Sequence, residues 1–206
     1  MRSEAGRLPA RMPSRLRKLP LAGLVLLALA ALGACGESRS RVTKGTYAGE
    51  SGANAPYLDV GPLIYQVQLT RQLNPYSVED SAYLQGLTPA QRVLRPGQEW
   101  FAVFIQVFND TARVQIAAPS PLVSDTQNNV YTPVVPDQTN PFAFRGGLIA
   151  GDSRVPPPDS VAANGSTQGA LLLYKIGIAS LDNRPLQIRF VNPFNRLQSA
   201  SAELDV

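Results

Sequence analysis

The reactive side chains of this 206-residue chain are few: no histidine, a single cysteine at position 35, and lysines only at Lys18, Lys44 and Lys175. Without an imidazole there is no Ser-His-Asp or Cys-His constellation and no His-ligated zinc, iron or copper. Neither Lys44 nor Lys175 follows a serine by three positions, so the S-x-x-K arrangement of lysine-assisted serine enzymes is absent as well. Paired carboxylates can cleave glycosides unaided, and Glu79 and Asp80 are adjacent. They follow Ser77 in S-x-x-D spacing, where acids cap the free amides of a helix start and favour its dipole. Asp125, Gln127 and Asn129 put side-chain oxygens at alternate positions, as a calcium loop does, but without its central glycine and later glutamate. A hairpin turn calls for the same letters, because Asn tolerates positive φ and Asp closes the turn with its side chain. Asn109-Asp110-Thr111 and Asn164-Gly165-Ser166 have the form of glycosylation acceptors. This inventory points to no catalytic set, no cofactor and no metal.

The lone cysteine has a distinct setting. Arg2, Arg7, Arg11, Arg15, Arg17 and Lys18 precede an apolar run from Leu19 to Ala34, the charged and hydrophobic regions of an export signal. At 16 residues the run is short for a membrane span. Leu32-Gly33-Ala34-Cys35 resembles the lipobox of bacterial lipoproteins, in which a leucine three positions before the cysteine, and small residues next to it, suit the lipoprotein signal peptidase. The resemblance implies cleavage before Cys35, a diacylglyceryl thioether on its sulfur and acylation of the new amino group. An uncleaved anchor helix, or a leader whose cysteine is incidental, are the alternatives for such a segment. Two or three acyl chains hold a protein stably to a membrane. Gly36 is not the aspartate associated with inner-membrane retention, so either membrane of a two-membrane bacterium is allowed.

The leader also accounts for the charge. It holds six of the 19 basic residues and one of the 15 acids, so the chain after residue 34 carries 13 against 14. A pI near 9.5, which would otherwise suggest nucleic acid, belongs to the export signal, and no nucleic-acid partner is expected.

Removing residues 1–34 leaves 172 residues, enough for one domain. Residues 35–57 are rich in Gly, Ser and charge and are expected to form a lipidated, flexible tether. From Leu63 the pattern is β. Leu63, Tyr65, Val67 and Leu69 alternate with Ile64, Gln66, Gln68 and Thr70, and a stronger run, WFAVFIQVF, spans 100–108. Shorter strands are predicted at 114–117, 122–124, 130–131, 142–144, 169–176 and 186–191, separated by turn signals and prolines. Two helical turns break the series. One starts after Ser77 and runs to about Gln85, stopping at Gly86; the other begins at the Thr88-Pro89-Ala90-Gln91 capping box and stops before Pro96. Seven or eight short strands with such punctuation predict an all-β antiparallel sandwich at 58–193, with a short helical insertion after the first strand and a loosely docked tail at 194–206.

The succession WFAVFIQVFNDT, LVSDTQNNVYTP, VAANGSTQGALLLYKI and PLQIRFVNP resembles a family of bacterial extracellular immunoglobulin-like domains of unknown function. That family is similar in fold to the immunogenic protein secreted by mycobacteria and is often carried by tethered lipoproteins. The resemblance implies a membrane-anchored, extracytoplasmic module that binds or scaffolds a protein or envelope partner without catalysis. In the 100–108 strand Phe101, Val103, Ile105 and Val107 form one face, and Trp100, Phe104 and Phe108 the other. A sandwich core covers one of these faces. Either the 77–95 segment covers the second, or Trp100, Phe104 and Phe108 form an aromatic platform for a glycan ring or an apolar partner.

Overall fold

A computed structural model describes residues 44–48 and 56–205, with backbone only for 44–48 and 205. The leader, Leu32, Gly33, Ala34 and Cys35 lie outside the described residues. Two sheets, antiparallel except where Lys44–Ala48 pairs with Ser199–Asp205, pack face to face as an all-β sandwich. One sheet is ordered β10 (Ala170–Gly177), β4 (Gln98–Asn109), β3 (Leu63–Leu73), β2 (Tyr57–Val60), with β9 (Ser153–Val155) on the end of β4. The other is β1 (Lys44–Ala48), β12 (Ser199–Asp205), β11 (Leu186–Val191), β6 (Leu122–Ser124), β7 (Val130–Tyr131). A small third sheet joins β5 (Gln115–Ala117) to β8 (Gly147–Ile149). The inter-sheet core takes alternate residues from each strand: Val67 from β3, Phe101, Val103 and Ile105 from β4, Leu172 and Tyr174 from β10, Ile188 and Phe190 from β11. Two buried tyrosines put their hydroxyls to use: Tyr65 accepts from the Ala118 amide at 2.8 Å and Tyr174 donates to the Pro121 carbonyl at 3.0 Å. Burial pushes the Tyr65 hydroxyl up to about 12.

Strand β3 belongs to two cores. The pairing with β4 shifts by one residue between Val67 and Leu69, leaving Gln68 as a bulge. Because side chains alternate, one extra residue reverses the facing of everything after it. Leu63, Tyr65 and Val67 face the other sheet, whereas Leu69 and Leu73 face outward, opposite Phe104 and Trp100. The expected common face for Leu63 through Leu69 is therefore wrong at its last member. The buried Gln68 amide donates to Gln66 Oε1 at 2.7 Å, so the bulge is closed by its own polar groups.

The insertion after β3 carries α1 (Val78–Tyr83) and α2 (Pro89–Arg92). Helix α2 starts as its sequence requires, with Thr88 Oγ1 accepting from the Gln91 amide and Gln91 Oε1 from the Thr88 amide. Helix α1 does not. Ser77 makes no side-chain cap, the helix stops at Tyr83, and Asp80 turns inward to accept from the Asn74 amide at 2.9 Å and to meet Arg71 Nη2 at 2.8 Å. A buried carboxylate does better against a guanidinium than on an exposed amide. Gly86, at φ +73°, turns the chain so tightly against Asp137 that a Cβ would stand 2.5 Å from its Oδ1. The Gly86 carbonyl accepts from the Asp137 amide at 2.9 Å. Fully buried Asn140 fastens the insertion from the other side, donating to the carbonyls of Tyr83 (2.9 Å) and Gln85 (3.0 Å).

Three further expectations are corrected. The tail read at 194–206 as loosely docked contains β12, which lies between β1 and β11 and buries Ala200, Ala202 and Leu204. Part of the 35–57 tether is strand: β1 pairs in parallel with β12, and β2 starts at Tyr57. The predicted strand at 142–144 reduces to a single bridge, Ala143 to Leu171. There the chain shields the free edge of β10, through Phe144 N–H to Leu171 O and Val134 N–H to Leu173 O. No helix among the described residues is long and apolar enough to cross a membrane.

Candidate binding site

The outer face of β4 is covered. Trp100 is 2% exposed and Phe104 0%. With Ala102, Leu171 and Leu173 they form a second core under Leu73, Tyr83, Leu84 and Leu87. The Tyr83 ring meets Phe104 edge-on at 5.1 Å and Phe142 at 5.0 Å. Lys175 lies over Trp100 at 5.1 Å and donates to the Val93 carbonyl at 2.6 Å, closing the rim. Trp100 and Phe104 are therefore core residues and cannot serve as a platform. The 77–95 segment covers them because a sheet with two apolar faces needs a layer on each.

Phe108 has a different position. Half-buried, it sits where β4 leaves the sandwich, 6.0 Å from the Tyr57 ring, and floors an open groove of about 810 Å³. The walls come from Leu148, Val155 and the Pro157-Pro158 pair, with Asp110, Asp152 and Arg154 along the groove. Asn109 builds this site. Its side-chain amide reaches the carbonyls of Arg113 (2.8 Å), Ile149 (3.0 Å) and Ala150 (2.7 Å), while its Oδ1 accepts from the Thr111 amide and hydroxyl. The side chain is completely buried, so this sequon is a clamp rather than an attachment point. Gly151 lets the turn between β8 and β9 close on the same loop: a Cβ there would stand 2.6 Å from the Ala112 carbonyl carbon. Asp152, at φ +51°, donates its amide to the Thr111 carbonyl. The groove offers a rigid apolar floor with charges of both signs, suited to an apolar or aromatic group on a polar partner. Ser153, on its wall, donates its hydroxyl to the Ala150 carbonyl at 2.7 Å.

The remaining candidates have structural work. Arg71 holds both carboxylates of the Glu79–Asp80 pair, at 3.2 and 2.8 Å, and Ser166 adds a hydrogen bond to Glu79 at 3.4 Å. Asn164 donates to the carbonyls of Pro158 and Ser160 beside the helical turn α3 (Val161–Asn164). Asp125 organises the β6–β7 turn. Its Oδ1 accepts from the amides of Gln127 and Asn129, both at 2.9 Å, its Oδ2 accepts from Asn129 Nδ2 at 2.7 Å, and Asn128 takes φ +62°. Burial pushes the Asp125 carboxyl up, but the hydrogen bonds from Asn129, Ser180 and Gln127 outweigh it and hold the group at about 2. No group of three or more metal-binding side chains occurs among the described residues. A carboxyl lowered from 3.8 to about 2 on folding stabilises the fold above pH 4, and that contribution is lost as pH falls toward 2. Asp125→Ala is expected to cost about 2 kcal/mol at neutral pH. In urea titrations the gap to wild type should narrow between pH 4 and pH 2; a gap independent of pH excludes the charged turn.

No protein-family model matches the chain. No curated protein sequence matches it either. Among solved structures, a functionally unknown protein from Listeria monocytogenes EGD-e aligns with a TM-score of 0.51 at 10% identity, over 79% of this chain and 86% of its own. The yjhA protein of Bacillus subtilis gives 0.48 at 12% identity, covering 76% of this chain and 99% of its own. A candidate lipoprotein of the same species, ycdA, gives 0.45 at 8% identity over 72% of this chain. The match spans only 38% of that protein. The fold is that of a β-sandwich protein. An uncharacterised β-sandwich protein from Clostridium difficile 630 gives 0.38 at 10% identity, over 78% of this chain and 96% of its own.

Proposed function

We propose that the chain is a lipoprotein anchored through Cys35 to a bacterial membrane. It carries its β-sandwich on the extracytoplasmic side as a non-catalytic module that binds a protein or envelope partner. The observation that carries this reading is the only cysteine of the chain standing at the end of a basic and then apolar leader, directly after Leu32-Gly33-Ala34. The open groove at Phe108 supports a binding role, because it is apolar, preorganised by Asn109, and rimmed by charges that can orient a partner. The absence of histidine in the whole chain supports a role without acid–base chemistry near neutral pH.

Mass spectrometry of the mature amino terminus tests the anchor. The expected result is a start at Cys35 with the added mass of two or three acyl chains, and transfer of Cys35→Ala from the membrane to the soluble fraction. A different start, or an unmodified Cys35, sinks the anchor. For the groove, Leu148→Glu combined with Arg154→Glu changes exposed positions only. This variant should fold normally and lose the partner that wild type crosslinks in native membranes; an unchanged crosslink removes the groove from the function.

A further inference from the structure

The β11–β12 hairpin carries two large apolar side chains close together and out in solvent. Residues 193–198 are all exposed, with Phe194 at 77% and Leu197 at 94%. The loop is nonetheless built. Asn192 Oδ1 accepts from the Phe194 amide at 2.9 Å, Asn195 Oδ1 from the Leu197 amide at 3.1 Å, and Asn192 Nδ2 donates to Gln198 Oε1 at 2.7 Å. Two hydrophobic side chains are thus held out into solvent on a hydrogen-bonded frame, at a cost a monomeric domain normally avoids.

The direction of the chain says what they face. Strand β1 runs parallel to β12 with Lys44 beside Ser201, so the chain enters the sheet at the hairpin end. Lys44 is nine residues downstream of Cys35, and nine residues reach at most about 30 Å. Any membrane that holds Cys35 therefore pulls on the sandwich from the end that carries Phe194 and Leu197. The same end presents the uncharged Gly61-Pro62 turn against Asn192 and Gln198. It also presents Arg196 in the loop and Arg189, bonded to Ser199 at 3.1 Å, while residues 192–198 contain no acid. An aromatic and a leucine flanked by arginines match the apolar and anionic layers of a bilayer surface.

We propose that the β11–β12 hairpin is a lipid contact, which seats the sandwich end-on upon the bilayer by inserting Phe194 and Leu197 among the headgroups. The proposal rests on the anchoring at Cys35 given above. The lipidated chain is reconstituted in vesicles of phosphatidylethanolamine and phosphatidylglycerol. Because the thioether occupies the Cys35 sulfur, one new cysteine can be labelled with a polarity-sensitive fluorophore, either as Leu197→Cys or as Gln127→Cys. Position 127 lies at the opposite end, since β6 runs antiparallel to β11 and away from the hairpin. On vesicles the label at 197 is expected to shift to the blue and become at least about fivefold less open to aqueous iodide, while the label at 127 does not change. Equal quenching at both positions overturns the proposal. So does a label at 197 that stays in water on pure lipid and is shielded only in native envelopes, which assigns the hairpin to a protein. The mass of the mature chain is read first. If Cys35 is unmodified the anchor fails, and the mature chain with Cys35→Ser, labelled at 197 and held by an amino-terminal hexahistidine on nickel-chelating vesicles, still decides the hairpin: shielding at 197 supports the contact and quenching overturns it.

Discussion

Replacing Phe104 by Ala is expected to lower the free energy of unfolding by about 4 kcal/mol. The ring is fully buried on the outer face of β4, edge-on to Tyr83 and surrounded by Ala102, Leu171 and Leu173. Removing it leaves a void beneath a layer held by Asn140, Gly86 and Lys175 from several directions, so little collapse can refill the space. Denaturant unfolding measures the loss. A value below about 1 kcal/mol, the range of exposed surface changes, means that the insertion lifts away from Phe104 and that the aromatic face opens.

Asn109→Ala is expected to cost about 3 kcal/mol, because three carbonyls and one amide lose a buried partner together. Asn109→Asp separates the donor from the volume. A carboxylate of the same size faces the carbonyls of Arg113, Ile149 and Ala150 with no hydrogen to give them. It is expected to be at least as damaging as alanine at neutral pH. Because the clamp also sets the turn between β8 and β9, both variants should loosen the groove at Phe108, seen as faster amide exchange at residues 149–155. Wild-type stability of Asn109→Asp would show that the donor role is wrong.

Much of the sandwich is legible along the chain because β4 and β10 are long apolar runs whose length and turn signals leave little choice. The double apolar face of WFAVFIQVF likewise announces a second layer, and the insertion supplies it. What could not be read depends on partners distant in sequence. The bulge at Gln68 exists only in register with β4, so alternation within β3 alone puts Leu69 on the wrong face. Strand β12 hides its inward face in Ala200 and Ala202, whose methyl groups barely register as hydrophobic although both are buried. Asp80 has capping spacing, but Arg71 outbids the helix amides for it. At the groove, Phe108 was visible as an aromatic at a strand end. Its walls come from 40 or more residues later, and Asn109 resembles an ordinary turn residue until its bonds to Ile149 and Ala150 are seen.

The bulge that divides β3 between two cores also fixes how the molecule can be watched. The chain has one tryptophan, and Trp100 lies in the outer core, packed opposite the half of β3 that follows the bulge. Its emission therefore reports the helical layer, whereas far-ultraviolet dichroism reports the sheets. Since both layers pack on the same strand, the two signals form an internal calibration. While they change together, the strand is acting as a common axle; a tryptophan signal that departs early marks the moment the outer layer has slipped off it.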